Sequence, residues 1–182
     1  MIYVFLADGF EETEALTTVD ILRRGGCDVK TVSVKDDKMV TSSHKVTVVS
    51  DITISEVTKE NLEGVVLPGG MPGTLNLESS EIVKEYVKYC IENNLVVGAI
   101  CAAPSILGKM GILKNRNATC FPGFEEYLKD ANFTGEFSVA DGKIVTGKGM
   151  GATIPFGLNL VKLFKDEETA NNVHSALQCP YK

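Results

Sequence analysis

The chain has 182 residues, of which 44% are hydrophobic, and it carries a formal net charge of −6. These values predict a globular protein that is large enough to bury a core. The acidic balance, without any basic cluster, argues against a strong nucleic-acid surface. No apolar run is long enough to span a membrane, so no membrane partner is expected.

Five cysteines are scattered along the chain without a C-x-x-C pair, and only two histidines are present. This pattern predicts neither a disulfide framework nor a metal site, and it favours a reducing cytoplasm as the location. The glycine-rich turn Gly147–Gly151 matches neither the Walker nor the dinucleotide fingerprint. We therefore expect no cofactor.

The first part of the chain predicts a parallel α/β unit. Residues 2–7 form an apolar strand that is too short for a signal-peptide core, and Asp8-Gly9 ends it with a turn. A helix over Glu11–Arg24 and a strand over Asp28–Val34 complete a βαβ unit. Two short strands, Met39–Thr41 and Lys45–Val49, predict a small inserted hairpin.

The remaining chain continues the alternation of strands and helices. It predicts one doubly wound α/β domain over residues 1–182, with a mostly parallel central sheet and helices on both faces. The elements are a strand at 63–67, a glycine-rich loop at 68–73, a helix at 81–92, a strand from Leu95, a short strand at 117–120, a short helix at 124–128, a hairpin around Asp141-Gly142, and helices at 153–164 and 166–177.

Cys101 stands where an apolar strand passes directly into a helix that has Pro104 in its first turn. This is the layout of a nucleophile elbow, with cysteine in place of serine. The amides and dipole of the following helix favour an anion, so we expect this thiol to ionise more readily than an ordinary cysteine. A small buried core thiol is the alternative interpretation.

Three loops should meet Cys101 at the carboxyl edge of a parallel sheet. The backbone N–H groups of Gly70 and Ala102 are candidate oxyanion donors, although a Gly-Gly pair also suits a simple tight turn. Glu11 and Glu14 are three residues apart and share one helical face, whereas Glu12 points elsewhere. A glutamate crowded against a thiolate has a raised pKa and, once protonated, donates a hydrogen bond to sulfur. The alternative is that these glutamates only cap the helix.

The two histidines, His44 and His174, are both far from Cys101 in sequence, and the residue that follows Cys101 is alanine. A Cys-His dyad would need one of them to arrive from a distant element. A thiol protease is therefore disfavoured.

Several motifs extend in a fixed order over nearly the whole chain. They are LADGFEETE at 6–14, Asp20 with RRGG at 23–26, VLPGG at 66–70, AICAAP at 99–104, and GMG at 149–151 followed by Thr153. Together they resemble the ThiJ/PfpI superfamily (class I glutamine amidotransferase-like), and within it the branch that contains the parkinsonism-associated deglycase and the bacterial chaperone YajL.

The resemblance implies a flavodoxin-like homodimer with a reactive, oxidisable cysteine at Cys101. It assigns Glu14 to a protonated glutamate beside the thiol, and Gly70 and Ala102 to the oxyanion amides. Glu11 is a possible auxiliary residue. Activities of this branch are glutathione-independent glyoxalase, repair of early methylglyoxal and glyoxal adducts on proteins or nucleotides, redox sensing and chaperone-like protection.

The sequence departs from this pattern at two positions. Phe121 stands where the parkinsonism-associated protein has a histidine, so a mechanism that needs that histidine does not transfer. His44 aligns with an arginine that contacts the oxidised cysteine across the dimer. We therefore expect sulfinate stabilisation to be weaker and pH-dependent.

Two functions remain open at this point. The first is a cysteine-dependent enzyme that acts on α-oxoaldehydes or their adducts through a Cys101 hemithioacetal, with Glu14 as proton shuttle. The second is a redox sensor or chaperone in which Cys101 is oxidised to sulfinate and turnover is incidental.

Overall fold

The computed structural model describes residues 1–179 as a central sheet that is covered by helices on both faces. The strands are β1 (Ile2–Leu6), β2 (Val29–Ser33), β3 (Met39–Thr41), β4 (Thr47–Val49), β5 (Ile52–Thr53), β6 (Gly64–Leu67), β7 (Val96–Ile100), β8 (Asn117–Ala118), β9 (Asn132–Phe133), β10 (Ser138–Asp141) and β11 (Ile144–Gly147). The α-helices are α1 (Glu12–Arg24), α2 (Gly73–Ser79), α3 (Glu81–Glu92), α4 (Pro104–Lys109), α5 (Thr153–Phe164) and α6 (Glu167–Ala176). Short 3₁₀ turns lie at Ile54–Glu56, Glu125–Leu128 and Met150–Ala152.

The main sheet has seven strands in the order β10-β11-β7-β6-β1-β2-β5. Its pairings are parallel except that β10 joins the edge antiparallel to β11. The predicted doubly wound α/β fold is therefore confirmed. From β1 the chain builds the sheet outward in one direction through β2 and β5, and from β6 it builds outward in the opposite direction through β7 and β11. At such a reversal the loops that follow the two strands, here β1 and β6, separate and leave a crevice between them.

The inner strands are buried on both faces, and successive side chains supply two separate cores. In β1, Tyr3 and Phe5 face the side of α3, whereas Ile2, Val4 and Leu6 face the side of α1 and α5. This period of two follows from the pleat of a strand, and it explains why the run from Ile2 to Leu6 reads as continuously apolar.

The inserted hairpin of β3 and β4 is confirmed, and it is attached to the loop after β1. Asp8 accepts hydrogen bonds from the backbone of Thr41 at 2.9 Å and from Lys35 Nζ at 2.6 Å. Gly9 N donates to Thr41 O at 2.7 Å, and Ser43 N donates to Phe10 O at 2.8 Å. These bonds bring the hairpin tip, with His44, against the start of α1.

The structure differs from the sequence-based assignment in a few short elements. Helix α2 begins at Gly73, directly after a Pro-Gly pair that is typical of a turn, and it was not predicted. The two-residue strands β5 and β9 were also not predicted, because so short a run has no periodicity to read. The strand predicted at 117–120 ends at Ala118. Within the described residues, no helix combines the length and apolarity needed to cross a membrane.

Candidate active site

Cys101 occupies a sharp turn between β7 and the start of α4. Its backbone has φ of 65°, in the left-handed region that a residue with a side chain rarely adopts. Two hydrogen bonds hold it there: Cys101 N donates to Gly147 O at 2.9 Å, and Phe121 N donates to Cys101 O at 2.8 Å. Such a conformation costs on the order of 1 kcal/mol and persists only where the surroundings impose it. It turns the half-buried thiol toward the crevice, as a nucleophile elbow does.

Glu14 is buried beside this thiol, in the first turn of α1. Its side chain is 1% exposed. The carboxyl oxygen Oε2 accepts a hydrogen bond from Gly69 N at 2.9 Å, whereas Oε1 is buried and has no hydrogen-bond partner among the described residues. Burial raises the pKa of Glu14 to about 7, although the Cys101 thiol and the Gly69 amide act in the opposite direction. At neutral pH this carboxyl can therefore both give and take a proton.

The glycine-rich loop after β6 closes over both side chains. A Cβ on Gly69 would lie 2.5 Å from Cβ of Cys101 and 2.7 Å from Oε2 of Glu14, so no larger residue fits. Gly70 has φ of 91°, which favours glycine, and the same turn directs its N–H toward the Cys101 sulfur. Ala102 N–H approaches the same sulfur. The predicted pair of oxyanion donors thus converges on Cys101.

The expected easy ionisation of Cys101 is wrong for this arrangement. Burial raises the pKa of the thiol to about 12, and the Glu14 carboxylate acts in the same direction. The amides of Gly70 and Ala102 lower it, but by less. A sequence shows the helix that follows a cysteine, whereas it does not show how deeply the thiol is buried or that a carboxylate lies against it.

Glu11 and Glu12 have different hydrogen-bond partners, although their carboxylates lie near each other. Glu11 is the N-cap of α1, and its Oε2 accepts a hydrogen bond from Glu14 N at 2.6 Å. Glu12 instead faces the hairpin, 3.2 Å from Nδ1 of the exposed His44. His44 therefore sits against the start of α1, on the side of Glu12. His174 lies on α6, outside this site.

Glu11, Glu12 and His44 bring one ligand atom each to within 4.8 Å of one another. Two carboxylates and an imidazole are a possible donor set for a divalent cation. However, Glu11 already serves as a helix cap, and the positive end of the α1 dipole disfavours a cation at this place. We therefore assign no metal to the cluster.

Three residues of the site were not assigned by sequence reasoning. Gly69 holds Glu14, Gly147 accepts the amide of Cys101, and Phe121 donates to its carbonyl. The sequence positions of Gly69 and Gly147 could have indicated a role in the site, because each is a glycine at or just after the end of a strand that pairs with β7. Phe121 carries none, since its role depends on a backbone N–H that every residue except proline has.

Comparison with known proteins places this geometry in a family. A sequence profile described as the DJ-1/PfpI family matches residues 1–163. The chain belongs to the DJ-1/PfpI family. This confirms the membership that the sequence motifs indicated.

Members of the DJ-1/PfpI family from animals and plants are similar over almost all of this chain. Protein DJ-1alpha of Drosophila melanogaster is 34% identical, and the match covers 98% of this chain and 84% of that protein. Protein DJ-1 homolog B of Arabidopsis thaliana is 36% identical over 94% of this chain, which spans only 40% of the plant protein. A Caenorhabditis elegans protein named glutathione-independent glyoxalase DJR-1.2 is 27% identical, and the match covers 90% of this chain and 87% of that protein.

Solved structures of the family have the same fold. A mutant of a DJ-1 superfamily protein from Salmonella typhimurium matches with a TM-score of 0.92 and 32% identity, over 99% of this chain and 98% of its own. Toxoplasma gondii DJ-1, solved in an oxidised form, matches with a TM-score of 0.92 and 31% identity over the same shares of the two chains.

Proposed function

We propose that this protein is a cysteine-dependent, glutathione-independent glyoxalase that converts α-oxoaldehydes such as methylglyoxal to 2-hydroxy acids. The observation that carries the proposal is the convergence of four groups on one point. The Cys101 thiol, the protonatable Glu14 carboxyl and the amides of Gly70 and Ala102 supply a nucleophile, a proton carrier and two oxyanion donors.

The first step forms a covalent adduct. The Cys101 sulfur attacks the aldehyde carbon, and the electron pair of the carbonyl bond moves to oxygen, which accepts hydrogen bonds from the Gly70 and Ala102 amides. The thiol proton passes to the Glu14 carboxylate and from there to this oxygen. The product is a hemithioacetal, and Glu14 is again a carboxylate.

The second step moves a proton between two carbons. Glu14 removes the proton from the former aldehyde carbon to give an enediolate, and the hydroxyl proton of that carbon passes to the oxygen of the neighbouring carbon. Glu14 then returns its proton to the neighbouring carbon, which leaves a 2-hydroxyacyl thioester on Cys101. Water then cleaves the carbon–sulfur bond, releases the hydroxy acid and restores the thiol. The sum is one aldehyde plus one water, so no oxidant, reductant or cofactor is consumed.

Two features support this assignment. A general base works best when its pKa lies near the working pH, and burial raises the pKa of Glu14 to about 7. In addition, a relative that covers most of this chain is named for glutathione-independent glyoxalase activity. Early adducts of methylglyoxal or glyoxal on proteins and nucleotides are further substrates in this proposal, because hemiaminals and hemithioacetals release the same aldehyde.

The test is lactate formation from methylglyoxal without glutathione. Wild type should produce lactate, whereas Cys101→Ser should not, because a hydroxyl in this position is a far weaker nucleophile. Cys179→Ser is the matched control and should behave as wild type. Equal rates for wild type and Cys101→Ser would refute the proposal.

A second candidate function is redox sensing, in which peroxide oxidises Cys101 to a sulfinate. The amides of Gly70 and Ala102 suit sulfinate oxygens as well as an oxyanion, and Toxoplasma gondii DJ-1 was solved oxidised. Intact-protein mass after graded peroxide tests it. A sensor gains two oxygens on Cys101 at low dose, whereas unselective oxidation of several residues contradicts this function.

We further propose that the protein is a cytoplasmic homodimer. All five thiols are free, which suits a reducing compartment. Leu16 on α1 and Met39, Val46 and Val49 on the inserted hairpin are exposed apolar side chains, and in this proposal a second copy covers them. Light scattering of Val49→Lys should show a monomer where wild type is a dimer, and a monomeric wild type would contradict this.

A further inference from the structure

Glu11 belongs to a closed ring of hydrogen bonds beneath the reactive thiol. Its carboxylate accepts from Glu14 N at 2.6 Å. The Glu14 carboxyl in turn accepts from Gly69 N at 2.9 Å, and Gly69 O accepts from Glu11 N at 2.9 Å. The start of α1 and the loop after β6 are thereby fixed to one another through both main chain and side chain.

The ring connects the proton carrier to the oxyanion loop. Gly70 follows Gly69 directly and packs so closely on the backbone N of Glu11 that a Cβ at Gly70 would overlap it. The position of the Gly70 N–H, which points to the Cys101 sulfur, therefore depends on the backbone at Glu11, and the cap bond to Glu14 N fixes that backbone at the start of α1. Glu11 itself is 9% exposed, and the groups that act on the Cys101 thiol are Glu14 and the amides of Gly70 and Ala102.

We propose that Glu11 is a positioning residue that holds the Glu14 carboxyl and the loop of Gly69 and Gly70 in their relative positions. It acts through Glu14 and Gly69 and does not contact the substrate. This inference rests on the proposed function for its effect on turnover. It goes beyond helix capping, because Glu14, the residue that the Glu11 side chain caps, is itself bonded through its carboxyl to the main chain of a second loop.

The charge of Glu11 has a separate effect from its hydrogen bonds. The groups that face the Glu14 carboxyl are the Cys101 thiol, the Gly69 amide and the Glu11 carboxylate. Glu11 is faced in turn by Glu12 and His44. A negative charge at Glu11 disfavours ionisation of Glu14, and the anionic Glu14 disfavours ionisation of Cys101. Removing the charge alone should move the titration of Glu14 to lower pH, and the opposition of the Glu14 carboxylate to ionisation of Cys101 should then begin at lower pH.

Three variants separate geometry from charge. Glu11→Gln retains an oxygen that accepts from Glu14 N but has no charge. Glu11→Ala loses both. Glu12→Gln is the matched control, because it removes a neighbouring charge that faces His44 instead of Glu14. Each is measured for methylglyoxal turnover, for the pH profile of Cys101 alkylation by iodoacetamide, and for thermal unfolding.

Glu11→Ala is expected to lower kcat by about tenfold or more with little change in KM, because misplacement of a catalytic group slows the chemical step. Glu11→Gln should recover most of kcat, and it should move to lower pH the step that ionisation of Glu14 produces in the alkylation profile. Glu12→Gln should leave the profile unchanged.

An alkylation profile of Glu11→Ala identical to that of Glu11→Gln, or wild-type kcat in folded Glu11→Ala, would overturn the positioning role, because loss of charge alone would then account for both variants. If wild type does not turn over methylglyoxal, the glyoxalase proposal fails. The alkylation profile then still decides the role of Glu11, because it reports the thiol without any substrate.

Discussion

Burial raises the pKa of both Glu14 and Cys101, and the contact between the two side chains then moves the values in opposite directions. The thiol lowers the pKa of Glu14, whereas the Glu14 carboxylate raises the pKa of Cys101. Glu14 therefore ionises first, near pH 7, and the thiol keeps its proton until much higher pH. The pair enters catalysis with a neutral thiol and a carboxyl that exchanges protons readily.

This relationship predicts that Glu14 destabilises the folded protein as pH rises. The unfolded chain releases the Glu14 proton near pH 4.5, whereas the folded protein holds it until about pH 7. Between these values the folded state binds more protons, so its stability falls with pH, by about 3 kcal/mol at about 1.4 kcal/mol per pKa unit. Glu14→Gln should lack this loss. Denaturant unfolding of wild type and variant across this pH range measures it.

Glu12→Gln is the control for that experiment. The pKa of Glu12 is lowered, although burial opposes this, because hydrogen bonds from its own backbone amide, Ser42 and His44 favour the carboxylate. The ionised Glu12 carboxylate stabilises the folded protein above the pKa that Glu12 has in the unfolded chain, and this stabilisation is lost as pH falls. The pH dependence that Glu12 contributes to stability is therefore opposite in sign to that of Glu14. A Glu14→Gln curve that falls between pH 4.5 and 7 as steeply as wild type would show that Glu14 is not the group responsible.

Glu14→Gln should also separate thiol reactivity from turnover. Without the Glu14 carboxylate, one cause of the raised pKa of Cys101 is gone, so alkylation of Cys101 should be several-fold faster at mildly alkaline pH. Lactate formation should nevertheless fall by about 100-fold, because a glutamine cannot carry a proton between carbons. Parallel iodoacetamide and methylglyoxal assays check this. A variant that loses alkylation and turnover together would contradict it.

The fold was predictable because its signals are local. The bounds predicted for α3 and α5, Glu81–Glu92 and 153–164, agree with the structure. Ser80 caps α3, and the apolar positions of that helix recur on one face, so its ends and its buried side can be read from adjacent residues. Helix α2 was missed because Pro72-Gly73 gives the local signal of a turn.

The elbow was predictable in position but not in its chemistry. The apolar strand and Pro104 locate Cys101 between β7 and α4. Its left-handed backbone, however, is imposed by Gly147 and Phe121, which are distant in sequence. The raised pKa likewise depends on burial and on Glu14, which tertiary packing brings to the thiol. Such properties come from packing between segments, and no local pattern encodes them.

Gly69 offers the sharpest test of how tightly the site is built. A Cβ there would lie 2.5 Å from Cβ of Cys101 and 2.7 Å from Oε2 of Glu14, although the backbone of Gly69 is not in the left-handed region. Gly69→Ala should therefore abolish lactate formation and lower the free energy of unfolding by about 1–3 kcal/mol, as overpacking does.

Gly151→Ala is the matched substitution, because nothing lies within 4 Å of a Cβ at that position. It adds the same methyl group without a steric conflict, and turnover and stability should stay near wild type. If Gly69→Ala retained turnover equal to that of Gly151→Ala, the close approach of Cys101 and Glu14 beneath Gly69 would not be required for the reaction.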